Sequence, residues 1–575
     1  MRWRLCAGRR WAPEARTEMD LVIFEEAKPL VCEALENGEF DYIEAASEVF
    51  ETDFFRFLKA KPILMKLAET YPTPRKKEEV PLLFYVASNL SMRLHGVHAF
   101  NAFPMLVRAG GMLNAFGPQM GKKVTHPDTG QVTISCEGFN NKNHYDRQTP
   151  CDHDYLRKVA RDTRADKLMG WFGHDVVRIF RSRRAFDKEG LFLGDASYLF
   201  VPDNPNYEGS ARLLFDEHHH PISSERYEKM SDEQKVRCQW RRCYKMVTLL
   251  HTNRSLDFFL FVGVKVLSGK ENECPVLYEL VRQFVEAVGK GVMKRLILDR
   301  GFLDGEAIST CKKDYEIDIL IPVRHNMDIY EDAMALFRLP DVDWARAKEP
   351  EAEPKELPRP RPKALVKREE KRQERLQELR RNKPAPLPEE TVIKREAAAI
   401  GEFRSWSSCT VPLTVVANRE LYADGHEETW LLIDTREVKD PCQVRDEYHL
   451  RTATEERFRQ LKCFSDLTHF TSRAFSLVVN QTVFIMLAYN LLQFYLLRQG
   501  KKKLNKKPLP YIRQQLLPSD NHVIVYWQNY YGLFKPFELV GFVAELSEEA
   551  RKKIAEKCRR IGRELTEIMK NPRAP

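Results

Sequence analysis

The chain has 575 residues, a length that excludes one simple core and predicts two to four domains. A hydrophobic fraction of 43% is sufficient for buried cores, and a net charge of +9 is compatible with nucleic-acid binding without establishing it. Twelve cysteines occur without a Cys-x-x-Cys pair, which favours the reduced thiols of a cytoplasmic protein over a disulfide framework.

The N-terminal third divides into a short leader and a longer helical region. Residues 1–18 carry five arginines and two glutamates without an apolar stretch, so we expect a disordered basic leader and not a signal peptide. Residues 19–186 are predicted to be mainly helical, with helices over Leu21–Leu35 and Ile43–Leu58, the second ending before Pro62. Within Arg157–Arg184, nine basic residues and three aspartates suit either a surface that binds DNA ends or a solvated helix face.

From residue 187 the pattern changes to strands. Apolar runs predict strands at Leu191–Val201, which contains Asp195, and then at 244–250 and 257–267. A helix at 274–288, a buried strand at Arg295–Leu298 followed by Asp299, a helix at 305–313 capped by Asp304 and a strand at 317–323 come next. Three strands, helix, strand, helix and strand is the order of an RNase H-like α/β core, of which residues 187–330 form the first part.

An insertion at 331–434 interrupts this core. Its charged linker, 348–393, is rich in Pro, Lys, Arg and Glu and cannot bury a core of its own. A β-rich part follows, with strands at 409–417 and 429–434 separated by the turn-prone residues 423–425. The second strand, WLLID, opens with Trp430.

The core is predicted to resume at 435–500 with its most informative stretch. Tyr448, Arg451, Glu455 and Lys462 are separated by steps of 3, 4 and 7 residues, which place all four side chains on one stripe of a helix. An acid among these residues can ligate Mg²⁺, and the other three can hold phosphate oxygens. The alternative is a solvated amphipathic helix.

Asp195, the Asp-Arg-Gly-Phe form at Asp299, and Glu455 together resemble the DDE transposases of bacterial insertion sequences, and more narrowly the insertion-sequence-four family with its Y-R-E-K signature. The resemblance covers roughly 191–497. It implies that Asp195, Asp299 and Glu455 are the catalytic acids and hold two Mg²⁺ ions, for which Mn²⁺ can substitute. It also implies that Tyr448, Arg451 and Lys462 contact DNA.

In that family, a tryptophan in the β-rich insertion stacks on a base flipped out of the DNA end. Trp430 matches its place, although a core or edge tryptophan of a sheet is an equal alternative and Trp406 is a weaker competitor. The family's partners are double-stranded DNA, as terminal inverted repeats and target, and a second copy of the chain on paired ends. The implied enzyme cuts DNA and transfers the 3′-OH ends, in the bacterial cytoplasm at the nucleoid. A nuclease without strand transfer and an inactive DNA-binding relic are the alternatives.

Several other features have competing interpretations. Asp187 and Asp203 lie outside the apolar run that holds Asp195, and we rank them below it. Metal sites at Cys238, Cys243 and His251, or at His218–His220, are weaker alternatives.

The apolar stretch 475–497 is long enough for a membrane span, but its Asn, Gln and Thr side chains favour a buried helix, so we expect no membrane. Residues 501–575 are predicted to form a basic helical region, with lysines at 501–507 and a final helix at 548–569 capped by Ser547.

Overall fold

A computed structural model describes residues 19–22, 25–46, 50–74, 82–102, 121–125, 132–135, 153–347, 392–516, 522–528 and 530–570. The predicted leader and nearly all of the predicted charged linker lie outside these ranges. The chain divides into two compact units, which are described separately. The first comprises residues 1–292 with 453–575, and the second comprises residues 293–452.

The strands are, in chain order, β1 (Met19–Val22), β2 (Glu25–Glu26), β3 (Tyr42–Ala46), β4 (Gly121–Thr125), β5 (Val132–Ser135), β6 (Leu191–Val201), β7 (Ala211–Phe215), β8 (Gln239–Thr252), β9 (Leu260–Ser268), β10 (Arg295–Leu298), β11 (Asp318–Pro322), β12 (Ala345–Arg346), β13 (Val392–Phe403), β14 (Leu413–Tyr422), β15 (Glu427–Asp434), β16 (His522–Trp527) and β17 (Tyr530–Phe534).

The α-helices are, in chain order, α1 (Lys28–Glu36), α2 (Phe50–Ala60), α3 (Ile63–Thr70), α4 (Leu82–Leu94), α5 (His153–Asp162), α6 (Ala165–Trp171), α7 (Val177–Ser182), α8 (Ser224–Glu228), α9 (Asp232–Arg237), α10 (Glu273–Val288), α11 (Gly305–Lys313), α12 (Asp328–Phe337), α13 (Pro441–His449), α14 (Thr452–Phe464), α15 (Phe475–Arg498), α16 (Leu509–Leu516), α17 (Pro536–Glu545) and α18 (Glu548–Lys570). A π-helical turn (Phe172–Val176) joins α6 to α7, and 3₁₀ turns occur at Phe100–Ala102, Arg300–Phe302 and Lys502–Lys506.

The first unit contains the antiparallel strands that carry Asp195. β6 pairs with β8 over its whole length, with Asp195 opposite Thr248, and β8 also pairs with β9 and β7. The predicted strand at 191–201 is confirmed, and the other two predicted strands lie at β8 and β9 with shifted ends. β7 was not predicted because its five residues include Arg212 and are followed by Asp216, which leaves too short an apolar signal.

Helix α15 is the buried helix predicted for residues 475–497. It is long and apolar enough to cross a membrane. However, 83% of its most apolar 18-residue stretch is buried inside the protein, as expected for a core helix. Its polar side chains are buried because they have partners. The amide of Asn490 accepts from the Phe261 N–H at 2.8 Å and donates to the Phe261 carbonyl at 2.6 Å, which ties the helix to β9.

Strands from the N-terminal and C-terminal regions pair in one small sheet of the first unit. The strand order is β2-β17-β16-β3, and β3 pairs antiparallel with β16 from Tyr42 opposite Tyr526 to Ala46 opposite His522. The helices predicted at Leu21–Leu35 and Ile43–Leu58 begin later, at Lys28 and Phe50, and the predicted helical C-terminal region also contains β16 and β17. The partner strand lies hundreds of residues away, and this long-range pairing overrides local helical spacing. The final helix is confirmed, with Ser547 accepting from the Ala550 N–H at 3.2 Å.

The second unit contains strands in the order β12-β13-β14-β15-β11-β10. β10 and β11 are parallel, whereas β15 pairs antiparallel with β11, from Leu320 opposite Asp434 to Pro322 opposite Leu432. The β-rich insertion therefore extends the sheet that carries β10. The predicted strand at 295–298, the helix at 305–313 and its Asp304 cap are confirmed.

Candidate active site

Asp195 lies in the middle of β6 and is only 7% exposed. One carboxylate oxygen accepts from the Ala196 N–H at 2.8 Å. A carboxylate this deep within a sheet requires polar or cationic neighbours to remain charged, because burial disfavours the ionised form.

The cation next to Asp195 is Lys462, near the end of α14. Its ammonium group donates to the Ser197 hydroxyl at 2.7 Å and to the Tyr198 carbonyl at 2.9 Å. Burial lowers the pKa of Lys462 to about 8, although the charge of Asp195 acts in the opposite direction. Lys462 therefore fixes α14 to β6 just beyond Asp195 and places a positive charge beside that carboxylate.

Glu455 lies in the first turn of α14, and its side chain is exposed. Because seven residues separate it from Lys462, the two lie on one side of the helix. Arg457 fixes the opposite side, since its guanidinium lies 4.3 Å from the Phe259 ring and donates to the Asn505 carbonyl at 3.2 Å. The helix thus presents Glu455 outwards on the side that Lys462 joins to β6.

The prediction of one helical stripe from Tyr448 to Lys462 is wrong. Helix α13 ends at His449 and α14 begins at Thr452, so Tyr448 and Arg451 do not lie on the helix of Glu455. Between them, Leu450 N–H bonds to Glu447 O and Arg451 N–H bonds to Tyr448 O, the three-residue spacing of a tightened turn. The Thr452 hydroxyl satisfies the His449 carbonyl at 2.8 Å, which stabilises the end of α13.

Asp299 follows β10 directly and is half-buried. Its carboxylate accepts from the Arg300 N–H at 2.8 Å, and so caps the 3₁₀ turn Arg300–Phe302. The Arg324 guanidinium donates twice to the Arg300 carbonyl, at 2.9 and 3.1 Å. The Asp-Arg-Gly-Phe turn is therefore held from two sides at the carboxyl end of a parallel strand.

Trp430 and Tyr448 come together in the second unit. Trp430 lies on β15, half-buried, and its ring centroid is 5.8 Å from that of Tyr448 and 6.1 Å from that of His449. Trp406 lies outside the strands, in a turn closed by the Cys409 N–H. Trp430 is thus part of an aromatic cluster on the edge of α13, neither fully buried nor isolated in solvent.

A buried charge network in the second unit was missed by the sequence analysis. Arg295, at the start of β10, donates to both oxygens of Asp434 at 2.7 and 2.6 Å, and to Glu447 of α13 at 2.9 Å. Arg436 also reaches Asp434 and Glu447. Burial alone would raise the pKa of Asp434, but the two arginines outweigh it and lower that pKa. The available signal was one charged residue at the end of each of two apolar runs, Arg295 at the start of RLIL and Asp434 at the end of WLLID.

The predicted metal ligands are divided between the two units, with Asp195 and Glu455 in the first and Asp299 in the second. Within the described residues, no three His, Cys, Asp or Glu side chains form a group that could hold a metal ion. Their donor chemistry nevertheless suits Mg²⁺, which needs only one or two carboxylates together with water and substrate oxygens. The weaker zinc alternative gains no support, because His251 bonds to Leu191 O and to the Asp187 N–H and is used inside the sheet.

Residues 208–491 match the model of a family described as the transposase DDE domain. This span includes Asp299, Trp430, Tyr448, Arg451, Glu455 and Lys462, and it begins after Asp195. The match covers just under half of the chain and supports the prediction of a DDE transposase. No curated protein matches the chain.

Proposed function

We propose that this chain is a DNA transposase of the insertion-sequence-four type, with an RNase H-like core. It binds the ends of its element, cuts phosphodiester bonds and transfers the new 3′-OH ends to target DNA. The observation that carries this proposal is the match to the transposase DDE domain over 208–491, which spans two of the three acids and the complete Y-R-E-K signature. The position of Asp195 on β6, beside the signature lysine, supports its inclusion as the third acid.

In this proposal, Asp195, Asp299 and Glu455 hold two Mg²⁺ ions, which supply an activated water and stabilise the leaving oxygen. Mn²⁺ can substitute for Mg²⁺. Asp195 contributes to both metal positions, and Asp299 and Glu455 contribute to one each. The chain supplies no covalent nucleophile. Lys462, with a pKa of about 8, keeps most of its charge at neutral pH and binds phosphate beside Asp195.

Tyr448 and Arg451 are proposed to bind the DNA strand next to the cut. Tyr448 lies in the last turn of α13 and Arg451 lies between α13 and α14, so the helix that carries Glu455 follows them directly in the chain. An arginine and a phenol are both suited to phosphate oxygens. Since each end needs its own set of acids, we propose that two copies of the chain act on paired ends.

The proposal is tested with a supercoiled plasmid that carries the inverted repeats flanking the coding region. With purified chain and Mg²⁺, we expect nicking, second-strand cleavage and joined products, and no cleavage in EDTA. Light scattering of the same mixture should give two chains per pair of ends. Cleavage without joining would favour a nuclease, and binding without cleavage would favour an inactive relic. A single-chain complex that completes strand transfer would contradict the paired assembly.

Trp430→Ala is expected to slow the step that needs a sharply bent strand more than the first nick. A flipped base loses a few kcal/mol of stacking, and an aromatic platform returns about 1–3 kcal/mol, so losing the ring should slow second-strand cleavage by roughly 5- to 150-fold. Trp430→Phe should retain part of the activity. Single-turnover assays of both steps measure the effect, with Trp406→Ala as the matched control.

An abasic site at the flipped position should partly rescue Trp430→Ala, because no base then has to be unstacked. If Trp430 serves only to pack against Tyr448, the variant should melt early and both steps should slow together. A melting curve run beside the kinetic assays distinguishes these outcomes, and equal slowing with lost stability would rule out the stacking role.

A further inference from the structure

Two basic segments of the first unit, more than 300 residues apart in the chain, meet at one surface. The Arg498 guanidinium, at the end of α15, donates to the carbonyls of Arg183 at 2.7 Å and Arg184 at 3.0 Å. These carbonyls follow the end of α7, so Arg498 satisfies acceptors that the helix leaves unpaired. The contact places the lysine-rich segment after α15 next to the arginine-rich end of α7.

The backbone of the lysine-rich segment is held by hydrogen bonds to the protein interior. Asn505 is completely buried, and its side-chain amide donates to Asp257 O at 3.0 Å and to Gln493 O at 3.3 Å. Its own carbonyl accepts from Arg457 of α14 and from Gln493. Lys502 is paired with Asp257 at 3.0 Å. The backbone of 501–507 is therefore fixed, while the side chains of Lys501, Lys506 and Lys507 are exposed.

Both segments are rich in basic side chains. No Asp or Glu occurs in the sequence between Asp466 and Asp520, a stretch that contains eight lysines and arginines. Across the contact made by Arg498, the side chains of Arg178, Arg181 and Arg184 are also exposed. Of the acids that follow α7, Asp187 accepts from the Glu189 N–H and Glu189 accepts from the Arg254 N–H. We call the exposed side chains Arg178, Arg181, Arg184, Lys501, Lys506 and Lys507 the basic patch.

The basic patch lies at the end of the sheet where β6 begins. Leu191 pairs with Thr252 at this end, and Asp257 in the turn from β8 to β9 is the residue that holds Lys502. Asp195 is four residues from Leu191 along β6, or about 14 Å at roughly 3.4 Å per residue. The same distance spans about four base pairs of duplex DNA.

We infer that the basic patch binds the sugar-phosphate backbone of duplex DNA about four base pairs from the phosphodiester at Asp195. Lysine and arginine side chains on a fixed backbone attract phosphates without reading bases, so binding at the patch is independent of sequence. The inference rests on the proposed function for the position of the cut strand. The placement of the basic side chains follows from the contacts of Arg498 and Asn505.

The test measures the affinity of the full chain for fluorescent duplexes, one with the element end and one with scrambled sequence, over a salt series. Each lost phosphate contact lowers the slope of log K against log salt by about 0.9. The triple variant K501A/K506A/K507A should therefore lower the slope by about 2.7 for both duplexes and weaken binding roughly tenfold or more at low salt. The double variant R178A/R181A should lower it by about 1.8.

The matched control is K158A/K229A/K270A, which removes three exposed lysines of the same unit that do not belong to the basic patch. It should leave the slope near the wild-type value, and the charge-preserving variant K501R/K506R/K507R should as well. An unchanged slope in the lysine triple variant would overturn the basic patch while leaving the proposed function intact. Weakened binding of the element end alone would overturn the sequence-independent role. Failure of the wild-type chain to bind either duplex would instead count against the proposed function.

Discussion

Replacing Asp195 with alanine is expected to abolish DNA cleavage while leaving binding of the element ends largely intact. In the proposed site the Asp195 carboxylate helps to hold the Mg²⁺ ions, whose charge would stabilise the transition state. Losing one electrostatic contribution of this kind lowers the cleavage rate by at least roughly 10²–10³-fold. Phosphate contacts from basic side chains do not depend on it, so affinity persists. A mobility-shift assay and a cleavage assay on the same preparation measure the two effects. Asp299→Ala and Glu455→Ala should behave in the same way.

The chain offers matched controls for this experiment. Asp187 and Asp203 lie at either end of the β6 region, yet Asp187 accepts the Glu189 amide and Asp203 pairs with Arg212 and Arg242. Their alanine variants should retain cleavage near the wild-type rate. If Asp195, Asp299 or Glu455 could be replaced with no loss of cleavage, that residue would have to be removed from the proposed site.

The elements that carry two of the acids were predictable because their signals are local. Asp195 lies inside an apolar run, and Asp299 directly follows one, so the strands could be predicted from hydrophobicity alone. The cap at Asp304 was equally local, since it depends on residues three apart. The position of Glu455 on a helix was predicted correctly for the same reason.

The remaining features depend on partners that are distant in sequence or on single hydrogen bonds. The spacing of Tyr448 and Glu455 in the sequence is compatible with one continuous helix and also with two separate helices. Periodicity therefore could not show that the first helix ends at His449. The pairing of β3 with β16 and the tie between Lys462 and Ser197 each join residues more than 260 positions apart. Local spacing carries no information on such contacts.

Arg295→Ala is expected to be the most destabilising single change in the second unit. Arg295 and Asp434 are 4% and 0% exposed, and the arginine joins β10 to β15 and α13 through Asp434 and Glu447. Removing one partner of a buried ion pair costs about 3–5 kcal/mol, because it leaves a buried charge without its counter-ion. Arg436 remains on both carboxylates and compensates only in part, because it is more exposed and its two bonds to Asp434, at 3.4 and 3.1 Å, are longer than those of Arg295.

The consequence should extend to function, because β10 delivers Asp299 and α13 carries Tyr448. Cleavage should fall even at temperatures where Arg295→Ala remains folded, and binding at the basic patch should remain. Urea unfolding followed by tryptophan fluorescence measures the stability, with Arg282→Ala as the control. Arg282 forms an exposed pair with Glu286, and losing such a pair costs only about 0–1 kcal/mol. If Arg295→Ala and Arg282→Ala lost equal stability, the buried network would not be what holds β10, β15 and α13 together.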